Sequence, residues 1–209
     1  MFTGIVEEVG TVARVQNGKI TVNASGVLEG LDMGGSISVS GVCLTATSIG
    51  ARYFSADVMG ETLQRTNLGL LSAGEKVNLE KPVVLSGPLG GHLVQGHVDA
   101  TGRIASIRRQ GEEIIIVIEA PPAVMRYIVE KGFIAVDGVS LTVVNRDSGS
   151  FEVSIVEYTR QHTNLDNRKV GDLINLEADI IAKYVEQFTQ AGKTGITTDF
   201  LQEHGFLVG

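Results

Sequence analysis

The chain has 209 residues, a formal net charge of −7 and a sequence pI of about 5.1. The length suffices for one or two domains with a buried core, and an acidic chain without a basic stripe is not typical of nucleic-acid-binding proteins. Cys43 is the single cysteine, so an intrachain disulfide is excluded and a reducing compartment is favoured. The first residues do not resemble a signal peptide, and the longest apolar strand-like run, residues 114–118, is too short to span a bilayer. We therefore expect a cytoplasmic protein that binds neither membrane nor nucleic acid.

Short runs rich in valine, isoleucine and threonine, separated by glycine-containing turns, predict strands in the first half of the chain. Single helical turns are expected near residues 27–31 and 61–65. If the longer runs break, about six strands result, at the spacing of a small barrel or sandwich. The predicted strands are residues 5–15, 19–24, 36–48, 53–58 and 76–80.

Residues 82–91 contain two of the four prolines and are the expected linker. The second half repeats the order of the first, with a predicted helix over residues 123–131 after Pro121 and Pro122. A last helix is predicted over residues 179–190. Either an oligomer interface or docking on the chain's own barrel would cover its apolar stripe, which is formed by Ile180, Ile181, Tyr184, Val185 and Phe188.

The segment from Ile37 to Glu80 recurs from Ile134 to Glu177, and matched residues such as Gly41 and Gly138 lie 97 positions apart throughout. Upstream, Gly4 matches Gly96 at a spacing of 92. The difference of five residues is expected in a turn near residues 108–113. A period this long exceeds that of solenoids. It predicts two copies of one small domain, at residues 1–91 and 92–178, followed by a helical segment at 179–209 that is the expected oligomer contact.

Small polar residues occur at matched places in the two copies. Cys43 matches Ser140, Thr45 matches Thr142, and Thr62 matches Thr159. Taken singly, they also have structural interpretations: Cys43 as a buried small hydrophobic residue, and Thr45 and Thr142 as strand residues. As two matched sets, they predict two similar pockets for two similar ligands.

Motifs of other enzyme classes are absent from the sequence. No G-x-G-x-x-G follows a predicted strand and no G-x-S-x-G is present. The Gly192-Lys193-Thr194 sequence lacks the upstream glycine of a P-loop, because position 187 is a glutamine. On one regular strand, His92 and His97 would point to opposite faces, which argues against a shared metal. We predict no metal site.

Five segments in order carry a resemblance over nearly the whole chain: MFTGIV, GVCLT, ETLQRTNLG, GGHLVQGHVD and KGFIAVDGVSLTV. They resemble the signature segments of the riboflavin synthase family. The resemblance implies an all-β fold of two tandem homologous six-stranded antiparallel β-barrels with a C-terminal α-helix. It also implies a homotrimer, an association with lumazine synthase, and a transferase that needs no cofactor. In the implied reaction, one 6,7-dimethyl-8-ribityllumazine transfers a four-carbon unit to another, giving riboflavin and 5-amino-6-ribitylaminopyrimidinedione.

The resemblance also implies site residues, which are carried over by motif. The expected reactive residues are Cys43, His97, Ser140, Asp179 and Ser36. The first-barrel pocket is expected to contain Gly4, Ile5, Val6, Cys43, Leu44, Thr45, Asp57, Val58, Met59, Gly60, Glu61, Thr62, Gly96, His97 and Val98. The second-barrel pocket is expected to contain Lys131, Ser140, Leu141, Thr142, Ile155, Val156, Glu157, Tyr158, Thr159 and Arg160. The family often has Ile-Pro where this chain has Val156-Glu157.

The alternative is a lumazine- or flavin-binding protein of the same fold without turnover. Such relatives resemble the synthase but lose polar residues of the reactive pockets, whereas Cys43, His97, Ser140 and Asp179 are all present here. A purely structural barrel would leave the matched polar sets unexplained. The enzyme is therefore the favoured prediction.

Overall fold

The computed structural model describes residues 1–111, 113–191 and 201–202. The first half forms a closed antiparallel barrel with the strand order β1-β2-β5-β4-β3-β6. Its strands are β1 Glu8–Gln16, β2 Lys19–Asn23, β3 Ser36–Val39, β4 Val42–Ile49, β5 Tyr53–Asp57 and β6 Lys76–Glu80.

The second half forms a second closed barrel with the equivalent order, β7-β8-β11-β10-β9-β12. Its strands are β7 Ala100–Gln110, β8 Glu113–Glu119, β9 Phe133–Val136, β10 Val139–Arg146, β11 Ser150–Ile155 and β12 Leu173–Ala178. The prediction of two tandem six-stranded antiparallel barrels is confirmed. The strands lie inside the expected ranges 1–91 and 92–178, and the domain boundaries themselves stay a prediction.

Each barrel has its own apolar core because alternate strand residues point inward. Phe54 and its repeat partner Phe151 are both fully buried, in two separate hydrophobic clusters. Bulges interrupt the pairing between β1 and β2 and, equivalently, between β7 and β8, and they help a short sheet to curve until it closes. The extra residues of the second copy lengthen the β7–β8 hairpin, as predicted.

Two predicted elements differ from the structure. The run 36–48 is two strands, because Ser40 and Gly41 have φ values of 44° and 82° and turn the chain back on itself. The helix predicted over residues 123–131 is only α2, Pro122–Met125. Lys131 has a φ of 64° and donates its N–H to Val143 O (2.9 Å), so pairing with the barrel ends the helical path.

Three further helices occur among the described residues: α1 Gly60–Arg65, α3 Glu157–Gln161 and α4 Ile180–Ala191. The expected helix at 179–190 corresponds to α4, and the rest of the expected segment 179–209 lies outside the described residues except for 201–202. The stripe residues Ile181, Tyr184, Val185 and Phe188 are each more than half exposed in the single chain. No helix of the described part of the chain is both long and apolar enough to cross a membrane.

The two barrels meet through buried asparagines that obey the repeat. The Asn67 N–H donates to Asn175 Oδ1 (2.8 Å), and the matched Asn164 N–H donates to Asn78 Oδ1 (2.6 Å). The side-chain amides form a second pair of hydrogen bonds between the same residues. Asn175 Nδ2 donates to Asn67 Oδ1 and Asn78 Nδ2 donates to Asn164 Oδ1, both at 2.9 Å. The repeat thus yields an approximately two-fold interface.

One pair of residues breaks this symmetry. Asp137 is fully buried and forms an ion pair with Arg168, whereas the residues matched to them by the repeat are Ser40 and Leu71. Asp137 also accepts hydrogen bonds from the side chains of both Asn67 (3.2 Å) and Asn164 (3.0 Å), one from each barrel. A buried ion pair therefore lies beside the neutral asparagines of this interface.

Candidate active site

The segment that leads into each barrel runs past the other barrel. Gly4 O accepts the Ser140 N–H (2.8 Å) of the second barrel, and the matched Gly96 O accepts the Cys43 N–H (2.9 Å) of the first. Val6 packs against the second core and Val98 against the first. Gly4 and Val6, which were expected with residues 4–6 to belong to the first-barrel pocket, therefore contact the second barrel near Ser140.

Two buried carboxylates hold these crossing segments. Glu80, at the end of β6, accepts the N–H groups of Thr3 (2.6 Å) and Gly4 (3.0 Å). Glu177, at the end of β12, accepts those of Gly96 (2.9 Å) and His97 (2.8 Å). Burial raises the pKa of Glu80, and the hydrogen bonds from Thr3 oppose that shift. The sequence analysis paired these glutamates by register but did not identify their role.

The first pocket is a cavity of about 270 Å³ beside β4. It brings together Cys43, on the outward face of β4, and His97, on the crossing segment. Of the other predicted residues, Leu44 and Val58 point into the barrel core, so only their backbones face outward. The cavity is lined by Val42, Cys43, Met59, Glu61, Thr62, Arg65, Thr66, Gly96, His97 and Val98.

Ser36 and Asp57 are placed at the margins of this pocket. Ser36 pairs with Thr45 in the β3–β4 ladder, two residues along the strand from the pair that contains Cys43. Asp57 forms an exposed ion pair with Lys19 (3.0 Å). Neither side chain lines the cavity, so the sequence placed these two residues near the first pocket and the structure does not bring them into it.

Ser140 in β10 is the second-barrel residue that matches Cys43. Its Oγ lies 2.7 Å from Nδ1 of His92, a buried ring that stacks on Phe133. Burial lowers the pKa of His92, and the nearby Asp179 carboxylate partly offsets this shift. His92 was missed as a site residue because it has no partner in the first copy. The register that aligns His97 with Ile5 would place it before Met1.

The segment after β11 borders a separate cavity, whose lining does not include Ser140. Val156, Glu157 and Tyr158 line a cavity of about 610 Å³ together with Gln110 and Glu113 of the lengthened hairpin. Hydrogen bonds from Arg160, and then from Gln161, lower the pKa of Glu157 to about 2. Glu157 is therefore a fixed anion at neutral pH and cannot serve there as a general acid.

The remaining predicted residues of this pocket differ in whether their side chains point into the barrel core or away from it. Leu141 and Ile155 are buried in the second core, so only their backbones are available outside it. Thr142 lies on the outward face and pairs with Phe133. Thr159 O accepts the Thr163 hydroxyl (2.7 Å), which repeats the bond from Thr66 to Thr62 O (2.6 Å) in the first copy. Within the described residues, no cluster of three or more histidine, cysteine or acidic side chains could hold a metal ion.

Comparison with known proteins identifies the family of the chain and its repeated domain. The model of the lumazine binding domain matches the chain twice, at residues 3–82 and 95–179. The riboflavin synthase of Actinobacillus pleuropneumoniae is 46% identical, covering 99% of this chain and 100% of its own. The riboflavin synthase of Mycobacterium bovis is 47% identical, and the match covers 91% of this chain and 99% of that protein. A solved structure, LumP complexed with riboflavin, has a TM-score of 0.80 at 22% identity and covers 85% of this chain and 99% of its own, so it supports the fold alone.

Proposed function

The chain belongs to the riboflavin synthase family, whose lumazine-binding domain it contains twice, and from that premise we propose that it is a riboflavin synthase. Its substrate is 6,7-dimethyl-8-ribityllumazine. One molecule gives a four-carbon unit to a second, and the products are riboflavin and 5-amino-6-ribitylaminopyrimidinedione. The observation that carries the proposal is the repeated lumazine-binding domain: the reaction uses two copies of one molecule, and this chain has two copies of one domain with matched polar residues.

The chemistry requires that a proton leave the C7 methyl of one lumazine and that a nucleophile add at C7 of the other. In the first pocket, Cys43 supplies or positions the nucleophile, with Ser36 at the margin as the second candidate, and His97 takes part in proton transfer. Cys43 is half-buried against the apolar cluster of Phe2 and Val94, so its thiol has a defined orientation.

In the second pocket, Ser140 orients the ring of the ligand, and the negative charge of Asp179 assists proton transfer electrostatically. The backbone of the crossing segments lies directly against the strands that carry these residues, since an added Cβ would lie 2.6 Å from Ser140 Cβ at Gly4 and 2.5 Å from Cys43 Cβ at Gly96. Holding two rings face to face itself accelerates the reaction, because good orientation of two reactants can lower the activation barrier by about 7–11 kcal/mol relative to their free encounter in solution.

The experiment is direct. Purified protein with 6,7-dimethyl-8-ribityllumazine, and with no added metal or nicotinamide, is expected to form one riboflavin for every two lumazines consumed, as followed by absorbance and chromatography. A chelator should leave the rate unchanged. Binding of lumazine without any riboflavin would instead identify a non-catalytic lumazine-binding protein, and activity that is lost on chelation and restored by a metal would refute the cofactor-free mechanism.

For assembly, we propose a cytoplasmic homotrimer in which the first barrel of one subunit and the second barrel of another share each active site, with lumazine synthase as an associated protein. The exposed apolar stripe of α4 supports an oligomer contact, because exposed apolar patches of this kind commonly mark interfaces. The domains are those expected from the repeat, residues 1–91, 92–178 and 179–209.

Deleting the chain from Ala182 onward is expected to weaken the oligomer and to lower turnover together, because the two reacting ligands would no longer be held by one assembly. Sedimentation velocity and riboflavin formation are measured on the same preparation. The matched control ends at Ala191 and keeps α4, and it should retain more of the assembly. A truncated monomer with full turnover would rule out the shared site.

A further inference from the structure

Glu177 is a buried carboxylate that belongs to one barrel and bonds to the segment that lines the pocket of the other. It lies in β12 of the second barrel, and only 2% of the residue is exposed. Its Oε1 accepts the Gln95 N–H (2.6 Å), and its Oε2 accepts the N–H groups of Gly96 (2.9 Å) and His97 (2.8 Å). A charge that is buried this deeply is costly unless hydrogen bonds satisfy it. The three converging N–H groups therefore stabilise the carboxylate, and the carboxylate fixes the path of the segment.

The same segment forms one side of the first cavity. Gly96 and His97 line that cavity together with Cys43. Gly96 O also accepts the Cys43 N–H (2.9 Å), so the segment is bonded to β4 on one side and to β12 on the other. A continuous path of hydrogen bonds thus leads from Glu177 through the backbone of Gly96 to the strand that carries Cys43.

Glu80, the residue matched to Glu177, bonds to its own segment in a different way. Its Oε1 accepts both the N–H (2.6 Å) and the hydroxyl (2.8 Å) of Thr3. The N–H of Ile5 bonds to Thr3 Oγ1 (3.2 Å) and not to the carboxylate. His97 is the residue matched to Ile5, and its N–H reaches Glu177 directly. Of these two matched positions, the one that carries an imidazole is therefore the one bonded directly to a buried carboxylate.

We propose that Glu177 is a positioning residue for the first pocket, which acts from the second barrel by fixing His97 and Gly96 beside Cys43. The inference rests on the proposed function, which assigns the reaction in this pocket to Cys43 and His97. It deepens that function, because it makes the geometry of the first pocket depend on a side chain of the second barrel in the same chain.

Glu177→Gln tests this role with little change in side-chain volume. A carboxylate has two oxygens that accept, whereas an amide keeps one oxygen and presents an NH2 donor in place of the other. At least one of the three backbone N–H groups then faces a donor. We expect turnover to fall about 10- to 100-fold, because a hydrogen bond to a charged group is worth roughly that factor in an equilibrium. Steady-state kinetics of riboflavin formation measure the loss.

Cys43 provides a readout that does not depend on turnover, because it is the single cysteine of the chain. Alkylation by iodoacetamide under native conditions, followed by mass spectrometry, reports how well the segment covers the thiol. Glu177→Gln should raise the alkylation rate about tenfold, the factor expected when one charge-assisted hydrogen bond no longer holds the segment closed.

The imidazole of His97 provides a second readout, which a purely structural role of Glu177 would not change. In protein labelled with 15N, the ring resonances of His97 are assigned by their absence from His97→Gln. They should shift in Glu177→Gln, because the ring takes a new position beside Cys43. The ring resonances of His162, an exposed histidine that bonds to Tyr158 O (2.8 Å), serve as the internal control and should stay in place.

Glu8→Gln is the matched control. Glu8 Oε1 accepts the Ser25 N–H (2.7 Å) and its Oε2 accepts the Val27 N–H (3.0 Å). The substitution therefore makes the same exchange of an acceptor for a donor against backbone N–H groups, but outside the segment of residues 95–97. It should leave turnover, the alkylation rate of Cys43 and the resonances of His97 unchanged.

The inference is overturned if Glu177→Gln keeps the turnover, the thiol reactivity and the His97 resonances of the unmodified protein, or if it changes only the melting temperature. If Glu177→Gln does not fold, Glu177→Asp replaces it, since aspartate keeps the charge and both oxygens but is shorter by one methylene. If the thiol and ring respond in a protein that forms no riboflavin, the proposed function fails while this inference stands. If riboflavin forms at the same rate in the variant, the inference alone fails.

Discussion

Gly96→Ala is expected to remove most of the turnover and to destabilise the protein. Gly96 has a φ of +82°, and an added Cβ would lie 2.5 Å from Cys43 Cβ and 2.8 Å from Cys43 N. Because these neighbours belong to β4, they cannot yield without moving the strand that carries Cys43. The left-handed backbone costs alanine about 1–2 kcal/mol, and overpacking adds about 1–3 kcal/mol.

Turnover should fall about 100-fold, since displacements of about 1 Å at a reacting centre have effects of that size. Gly34→Ala is the matched control, because Gly34 has the same φ of +82° but no heavy atom within 4 Å of its added Cβ. It should show the backbone cost alone and full turnover. Chemical denaturation and steady-state kinetics provide both measurements. Equal kinetic losses in the two variants would contradict a steric role for the Gly96–Cys43 contact.

Asp137→Ala is expected to lower the free energy of unfolding by about 3–5 kcal/mol, the range for breaking a buried ion pair by removing one partner. The change would leave Arg168, with only 10% of its side chain exposed, without its carboxylate. It would also remove the acceptor for the Asn175 N–H (2.8 Å) and for two asparagine side chains at the interface between the barrels. Urea denaturation measures the loss.

Glu152→Ala is the control, because its ion pair with Arg108 (2.9 Å) lies at the surface and should be worth less than about 1 kcal/mol. The double variant Asp137→Ser with Arg168→Leu imports the residues that the first copy has at these positions, Ser40 and Leu71. It removes both charges together, so it should recover at least half of the loss. A double variant as unstable as Asp137→Ala would show that the carboxylate matters for its hydrogen bonds rather than for its charge.

Many candidate site residues could be identified because the chain contains the same domain twice and the two copies can be compared with each other. Residues that recur at a spacing of 97, such as Cys43 with Ser140, could be paired by register, and their outward positions on β4 and β10 follow from strand alternation. The same logic could not find His92, because it has no counterpart. It also overestimated the helix at residues 123–131, where pairing of Lys131 with Val143 overrode local helical preference.

The sequence by itself determined the number of barrels, the approximate strands and the matched polar sets. Alternation of apolar residues and turn residues are local patterns, and an internal repeat is found by comparing the chain with itself. Only the tertiary structure decided which barrel each leading segment touches. Gly4 faces Ser140 and Gly96 faces Cys43 because Glu80 and Glu177 fasten the two segments where they cross between the barrels. Such a crossing depends on contacts between residues about 50 to 140 positions apart, and no local pattern specifies which of two similar surfaces a segment will meet.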